Sequence, residues 1–302
     1  LDREPVSLSV IGVSKTKSIG CYTTAGQGLS QLQCEQRPAS ASLAPDRVRV
    51  AVHAVSLNYR DLLVASGEYG GVQSPPIIAA SDMSGIVLEV GSDVQSVTVG
   101  EHVINAPVPD WLDGRLQRSW SRSFVGGQGI DGVLAEEVIY PASGLVSAPR
   151  NTSHEQAATL VVAGLTAWAA LVTHGAAKPG QWALIHGTGG VAIFAAQLAA
   201  LLGVRVIQTT SSPQKAARLK EKFGVSETLD YRDQDWPERV RELTGGCGVD
   251  VVLELAGGSS LGKSIEACNY GARVGVIGVL DGLESSLNVF SLIMREMPPM
   301  PI

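Results

Sequence analysis

The spacing of apolar residues changes along the chain, and the change divides it in two. Up to about residue 140, short runs of β-rich residues alternate with turn residues. They cover residues 19–23, 30–35, 47–56, 84–90, 101–105 and 134–140. The run Arg47-Val-Arg-Val-Ala-Val-His-Ala-Val-Ser56 has period two, with valines on one face and Arg47, Arg49 and His53 interrupting it. Gly91-Ser-Asp93 and Thr98-Val-Gly100 supply breaks. Many short strands at this spacing predict an antiparallel, barrel-like β domain. Beyond Pro149 the pattern becomes strand, turn, helix, strand. Ser153 and Gln156 have the spacing of a capping box for a helix running toward Val162.

The second half is organised around residues 182–203. An apolar run from Trp182 meets Gly187-Thr-Gly-Gly-Val191, then a small-residue amphipathic stretch, then a β-branched run ending at Thr209. Gly187, Gly189 and Ala192 fit the G-x-G-x-x-G/A spacing of a dinucleotide fingerprint. The first glycine permits the sharp turn, and the second lets a pyrophosphate approach bare backbone. The small third residue lets the helix sit close to the strand. Amides at the helix start, from Gly190 and Val191, then face phosphate with the favourable end of the helix dipole.

The alternation continues. A helix over 213–223 closes at Gly224, a strand follows at 225–229, and a helix at 236–243 closes at Gly245-Gly246. Strands at 249–255 and 272–277 flank a helix over 261–268. This order predicts a doubly wound parallel sheet. Ala256, Gly278 and Val279 fall at strand ends on the ligand-binding edge of such a sheet. The domains expected are 1–150, 151–285 and a short tail at 286–302.

Composition narrows the partners. A net charge of −6 carries no footprint for nucleic acid or an anionic membrane. Gly, His or Gln cuts each apolar run short of the roughly 18 residues of a membrane span. Residues 1–5 are not a secretory signal. Cys21, Cys34, Cys247 and Cys268 are scattered with no C-x-x-C pair, as in a reducing, cytoplasmic compartment.

The strand after the glycine turn ends Gln208-Thr-Thr-Ser-Ser-Pro-Gln-Lys215, without the acid that holds the ribose 2′-hydroxyl of NAD. Ser211, Ser212 and the cation of Lys215 suit a 2′-phosphate instead, which favours NADPH over NADH. Ser212 and Pro213 also read as N-cap and first helical residue.

Four blocks in order carry a resemblance over nearly the whole chain. They are Ser56-Leu-Asn-Tyr-Arg-Asp-Leu-Leu63, Gly91 with Val99-Gly-Glu-His-Val103, Ala163-Gly-Leu-Thr-Ala-Trp168 and Gly187-Thr-Gly-Gly-Val191. Together they resemble the medium-chain dehydrogenase/reductase superfamily, in which a GroES-like β-barrel carries substrate chemistry and a Rossmann domain carries the nicotinamide cofactor. The resemblance implies that Thr166 contacts the nicotinamide side and that Tyr231 lines the adenosine phosphate. Thr166 also reads as an ordinary buried helix threonine. The superfamily adds a sixth strand and a C-terminal helix beyond Met297-Pro-Pro-Met-Pro-Ile302, so the Rossmann domain reads as shortened. A homodimer, a frequent assembly in that family, then lacks its usual edge strand.

Zinc members of the superfamily place a cysteine ligand where this chain has Asn58, and their Gly-His-Glu block is replaced near Ala80-Ser-Asp-Met-Ser-Gly85. Residues 90–130 contain no cysteine for a structural zinc site. Each of the five histidines reads as isolated, and no two have i, i+4 spacing. The expectation is no metal. The 56–61 block resembles zinc-free quinone reductases and enoyl reductases, with Tyr59 in place of their common Phe. Asn58 and Tyr59 are therefore the candidate catalytic residues, Asn58 holding substrate oxygen or cofactor ribose and Tyr59 donating a proton or forming an aromatic wall. Asp61 reads as an anchor for Arg60, and Asp82 as either an orienting carboxylate of the substrate pocket or a turn cap. Trp111 and Trp120 lie in a loop that the family uses for the substrate pocket; core anchoring is their alternative. The expected reaction is NADPH-dependent reduction of an α,β-unsaturated carbonyl, with quinone reduction second. A non-redox isomerase, cyclase or ligand-binding protein is the alternative of another class.

Overall fold

The computed structural model describes residues 17–40, 42–115, 117–118 and 123–295. The chain forms two compact units, one ending at Ala158 and the other beginning at Thr159.

The first unit is built on two antiparallel sheets. Strands β1 (Ser18–Thr24), β2 (Gln33–Pro38) and β4 (Ile77–Ile78) form one, in the order β2-β1-β4. Strands β3 (Arg47–Ser56), β5 (Asp82–Val90), β6 (His102–Asn105), β7 (Glu137–Pro141) and β8 (Leu145–Ser147) form the other, in the order β7-β3-β5-β6-β8. Period-two patterning works as expected in β3, where Val48 and Val50 are fully buried beside Met83, Val87 and Val103. Register shifts between Val52 and Ala54, and the alternation fades there: Val52 and residues 54–56 are only partly buried, while His53 is exposed on the outward face. Two expected strands moved. Residues 29–31 form a 3₁₀ turn, so pairing starts at Gln33. Strand β7 starts only at Glu137; before it, Ala135 makes a single bridge to Cys21.

The second unit carries a five-stranded parallel sheet: β9 (Trp182–Ile185), β10 (Arg205–Thr209), β11 (Glu227–Leu229), β12 (Val249–Glu254) and β13 (Cys268–Val276), in the order β11-β10-β9-β12-β13. Successive side chains feed two cores on opposite faces. Ala183, Ile185, Val206, Val251 and Leu253 enter one; Leu184, Ile207 and Val252 enter the other, with Trp236 and Val240. Residues 236 and 240 belong to α5 (Trp236–Leu243); α4 (Pro213–Phe223) supplies Leu219 to the first core. Helix α3 (Gly190–Leu201) lies close to the sheet because Ala192, Ala195, Ala196 and Ala199, all fully buried, form its inner face.

Three expectations change. Helix α6 runs Gly258–Glu266, starting three residues early, and Cys268 opens β13 rather than closing a helix. Residues expected to form a tail contain α7 (Val289–Met294), whose N-cap Asn288 accepts from the amides of Phe290 and Ser291; residues 297–302 lie outside the described ones. Finally, α2 is one continuous helix, His154–Thr173, of 20 residues, long and apolar enough by length and composition to cross a membrane. Gly164 does not interrupt it, because helical hydrogen bonding is carried through by π turns at Leu160–Gly164 and Ala169–Thr173. Its residues Ala167, Ala170 and Leu171 are buried in the first core of the sheet. The Ser153–Gln156 capping box is formed in both directions, at 3.0 and 3.3 Å.

The alanine face of α3 leaves no spare volume. Ala195→Leu is expected to lower stability by about 1–3 kcal/mol, read as a lower urea midpoint at unchanged slope. A midpoint equal to that of the parent chain would show that the helix does not lie on the sheet through this face.

Candidate functional site

In the second unit the expected cofactor residues gather at the C-terminal ends of β9, β10 and β12. Gly187 turns the chain with φ of 72°, and Gly189 is the uncapped N-cap of the 12-residue α3. No heavy atom lies within 4 Å of the position a Cβ would take on Gly187 or Gly189. Gly189 and Gly190 are exposed, with Thr188 and Val191 partly so. Open space over bare backbone at a helix start fits a pyrophosphate. Ala192 is fully buried, as the third fingerprint position requires.

Beyond β10, Ser211 Oγ donates to Tyr231 Oη at 3.1 Å, and Arg232 Nη2 donates to the Ser211 carbonyl at 3.3 Å. Ser212 caps α4 by accepting from the Lys215 amide at 3.3 Å, with Pro213 as the first helical residue. Ser211, Ser212, Lys215 and Tyr231 are thus brought to one strand end. Arg232 joins them and was missed in the sequence, although it directly follows Tyr231. It is also held by Asp230, at 2.6 Å.

The turns carrying Ala256 and Gly278–Val279 are zipped together: Asp281 donates its amide to the Ala256 carbonyl at 2.7 Å, and Gly258 donates to Gly282 at 3.1 Å. A Cβ on Gly278 would meet the Leu255 carbonyl oxygen at 1.9 Å, so only glycine fits there. Thr166 is half-buried in α2, between its two π turns.

Behind these turns lies a buried polar cluster that the sequence did not signal. Glu254 is fully buried at the end of β12. Its Oε2 accepts from the Ser264 hydroxyl at 2.5 Å and lies 3.4 Å from His186 Nε2. Burial holds the His186 imidazole below its usual range, although the Glu254 carboxylate pulls it up, so the ring is neutral. Gln208 Nε2 donates to the Gly187 carbonyl at 2.8 Å, and its buried Oε1 has no partner.

In the first unit, helix α1 (Tyr59–Ser66) starts at the block expected to carry catalysis. Asn58 is its N-cap; its Nδ2 is a buried donor without a partner. Tyr59 is half-exposed. Asp61 does not chiefly anchor Arg60, whose Nη1 stands 4.0 Å away. Instead Asp61 Oδ2 accepts from the Asn58 amide at 2.7 Å, and the Arg60 guanidinium stacks on Phe124 at 3.8 Å. Burial, with the nearby charge of Asp82, pushes the Asp61 carboxyl up to about 6, against the Asn58 amide and Arg60, which lower it. Asp82 is fully buried and accepts from Ser81 Oγ at 2.7 Å. Trp111 is exposed, and its Nε1 donates to the Gly114 carbonyl within its own loop, so it anchors no core. Trp120 lies outside the described residues.

His53, His102 and His154 are not isolated. His154, first in α2, stacks on His53 with ring centroids 4.4 Å apart and lies 4.1 Å from His102. Ser84 Oγ bridges His102 Nε2 at 2.6 Å and His154 Nδ1 at 3.0 Å. Adjacency of β3, β5 and β6 brings these residues together, which sequence spacing does not show. The His53 and His154 rings stack, so their lone pairs do not meet at one point, and among the described residues no group of three or more His, Cys, Asp or Glu could hold a metal ion. At Asn58 the group offered is an amide N–H, a donor and not a ligand. The residues at these positions do not fit zinc.

Two family models cover the chain: "Alcohol dehydrogenase GroES-like domain" over residues 44–150 and "Zinc-binding dehydrogenase" over 190–298. A zinc-type alcohol dehydrogenase-like protein of Schizosaccharomyces pombe is 35% identical over 88% of this chain and 77% of its own length. The chain belongs to the medium-chain dehydrogenase/reductase superfamily. A 2-haloacrylate reductase of a Burkholderia species is 31% identical over 82% of this chain and 69% of its own. Among solved structures, a putative alcohol dehydrogenase of Sinorhizobium meliloti superposes with a TM-score of 0.87 at 38% identity, over 95% of this chain and 84% of its own. A mycobacterial protein complexed with NADPH does so with 0.75 at 26%, over 93% and 80%. Superfamily membership makes the chain an oxidoreductase of the GroES-like plus Rossmann type, and the turn at 187–191 fits the nicotinamide dinucleotide this class uses.

Asp61 sets a pH dependence. Its folded pKa, about 6, lies above the unfolded value of 3.8. Its contribution to stability is therefore present below about pH 4 and lost as pH rises through 6. Asp61→Asn keeps an acceptor for the Asn58 amide and removes the buried charge. It is expected to gain about 2 kcal/mol over the parent at pH 8 and nothing at pH 4, measured by urea unfolding. An equal effect at both pH values would show that Asp61 ionises freely in the folded chain.

Proposed function

We propose that this protein is a zinc-independent, NADPH-dependent reductase of a C=C bond conjugated to a carbonyl. The observation that carries the reading is the start of α1. There an unpartnered buried amide donor, Asn58 Nδ2, adjoins a half-exposed phenol, Tyr59, at the place where metal-dependent relatives need a thiolate. The relative named a 2-haloacrylate reductase supports it, since an acrylate is a C=C bond conjugated to a carboxyl group.

When bound, the reduced nicotinamide supplies a hydride to the β-carbon. Asn58 Nδ2 donates a hydrogen bond to the substrate's carbonyl oxygen, which becomes more basic as negative charge moves onto it. A donor already fixed in place stabilises that charge without reorganising. Tyr59 then gives its hydroxyl proton to the α-carbon and regains one from water. Both residues lie in the first unit, and the second unit holds the cofactor. Preference for the 2′-phosphate rests on the cluster of Ser211, Tyr231, Arg232 and Lys215, together with the absence of an acid at the end of β10. The mycobacterial neighbour's complex with NADPH agrees.

The test is oxidation of NADPH, followed at 340 nm, with panels of enones, acrylates and quinones. Turnover with the conjugated acids or ketones and not with quinones is expected. Turnover with quinones alone makes the chain a quinone reductase; saturable binding without oxidation of any acceptor leaves the non-redox readings, an isomerase, a cyclase or a ligand-binding protein. Asn58→Ala should lower kcat by about 10²-fold or more. Ser211→Asp places a carboxylate beside the 2′-phosphate and should weaken NADPH relative to NADH by at least about tenfold. An unchanged preference would remove the phosphate site from this strand end.

A further inference from the structure

The buried groups behind the glycine turn form one directed hydrogen-bond chain whose direction is set at Glu254. Its carboxylate accepts four hydrogen bonds. The amides of Ala256 and Gly257 reach Oε1 at 2.9 and 3.1 Å, and the hydroxyls of Ser260 and Ser264 reach Oε2 at 3.2 and 2.5 Å. A hydroxyl carries one proton. Because Ser264 gives its proton to the carboxylate, its oxygen is left to accept from His186 Nε2, at 2.8 Å. A neutral imidazole has one N–H, so Nδ1 is an acceptor and takes the Thr209 hydroxyl proton at 3.2 Å. Thr209 Oγ1 in turn accepts the amide of Gly187, at 3.2 Å. The chain passes from β12 through α6 and His186, the residue after β9, to β10 and ends on the first glycine of the turn. Glu254, Ser264 and Thr209 are fully buried and His186 is 4% exposed, so water does not compete for these bonds.

We propose that Glu254 is a positioning residue of the dinucleotide site. Acting through Ser264, His186 and Thr209, it fixes His186 as the Nε2–H tautomer and holds the Gly187 amide on Thr209, so that the turn presents the following amides to phosphate. The same carboxylate holds the Ala256–Gly257 turn by its two amides. One buried anion thus shapes both turns assigned to the cofactor. The proposal rests on reading residues 187–191 as the cofactor cradle.

Glu254→Gln is isosteric and tests it. Its oxygen must stay with the two backbone amides, so its NH2 faces Ser264. The Ser264 hydroxyl then accepts from Gln, donates to His186 Nε2, and leaves the ring proton on Nδ1. Imidazole ¹⁵N NMR is expected to show the Nε2–H tautomer in the parent chain and Nδ1–H in Glu254→Gln. The Kd for NADPH should rise about tenfold in the variant, the effect of one net hydrogen bond to a charged group. A parent chain with the Nδ1–H tautomer, or a variant that binds NADPH with the parent's Kd, overturns the proposal. Should Glu254→Gln fail to fold, Thr209 decides. Thr209→Ser keeps the hydroxyl and should bind like the parent, whereas Thr209→Val should bind about tenfold more weakly; equal Kd values for the two overturn the proposal. If the parent binds neither NADPH nor NADH, the cradle reading itself fails and the positioning role falls with it. Parent binding with an unaffected variant defeats only the inference.

Discussion

Close approach of α3 to the parallel sheet is the constraint on which the second unit depends. Gly187 turns the chain at once after β9, and Ala192, Ala195, Ala196 and Ala199 leave only methyl groups between helix and strands. A helix lying that near carries its N-terminal amides to the strand ends, beside the turns at 256–258 and 278–282. Larger inner residues would lift the helix and carry the amides away. Packing of the hydrophobic core and placement of a phosphate cradle are therefore one event, decided by the same small side chains.

Placing those amides also requires buried polar groups, and the two units meet that need differently. In the second unit Glu254, His186, Ser264 and Thr209 satisfy one another completely. In the first, Asn58 Nδ2, Asp61 Oδ1, and Arg60 Nε and Nη2 are buried without a hydrogen-bond partner, though Asp61 and Arg60 stay within ion-pair range. Orphaned groups cost folding free energy, and the Asp61 carboxyl, pushed up to about 6 by burial, shows that cost directly. Buried polar atoms left open in this way are ones a bound molecule can satisfy, and the second unit has one as well, Gln208 Oε1, whose amide nitrogen holds the Gly187 carbonyl.

Much of this was legible in the sequence where local rules decide. The bounds of β3 and α4, the Ser212 cap with Pro213, and the Ser153–Gln156 capping box depend on residues a few positions apart. The fingerprint glycines and the missing acid after β10 were legible for the same reason. What the sequence hid depends on distant residues. His53, His102 and His154 looked isolated because strand adjacency, and not spacing, brings their rings to about 4 Å. Glu254 looked like one more residue of an apolar strand, since nothing local says that Ser264 and His186 will face it. Cys268 fell on the wrong side of a helix end because Ala267 and Cys268 suit either state, and pairing of Cys268 with Val249 settles it.

The central claim is that a dinucleotide held at residues 187–191 passes its hydride to a carbon conjugated to a carbonyl. Incubation with NADPH deuterated at C4 on both faces, an α,β-unsaturated acid or ketone and the purified chain tests this most directly, with the product examined by NMR. Deuterium on the β-carbon and a solvent proton on the α-carbon is the result predicted here. Product formed with no deuterium on the β-carbon, or no saturated product while the cofactor is bound, would contradict it.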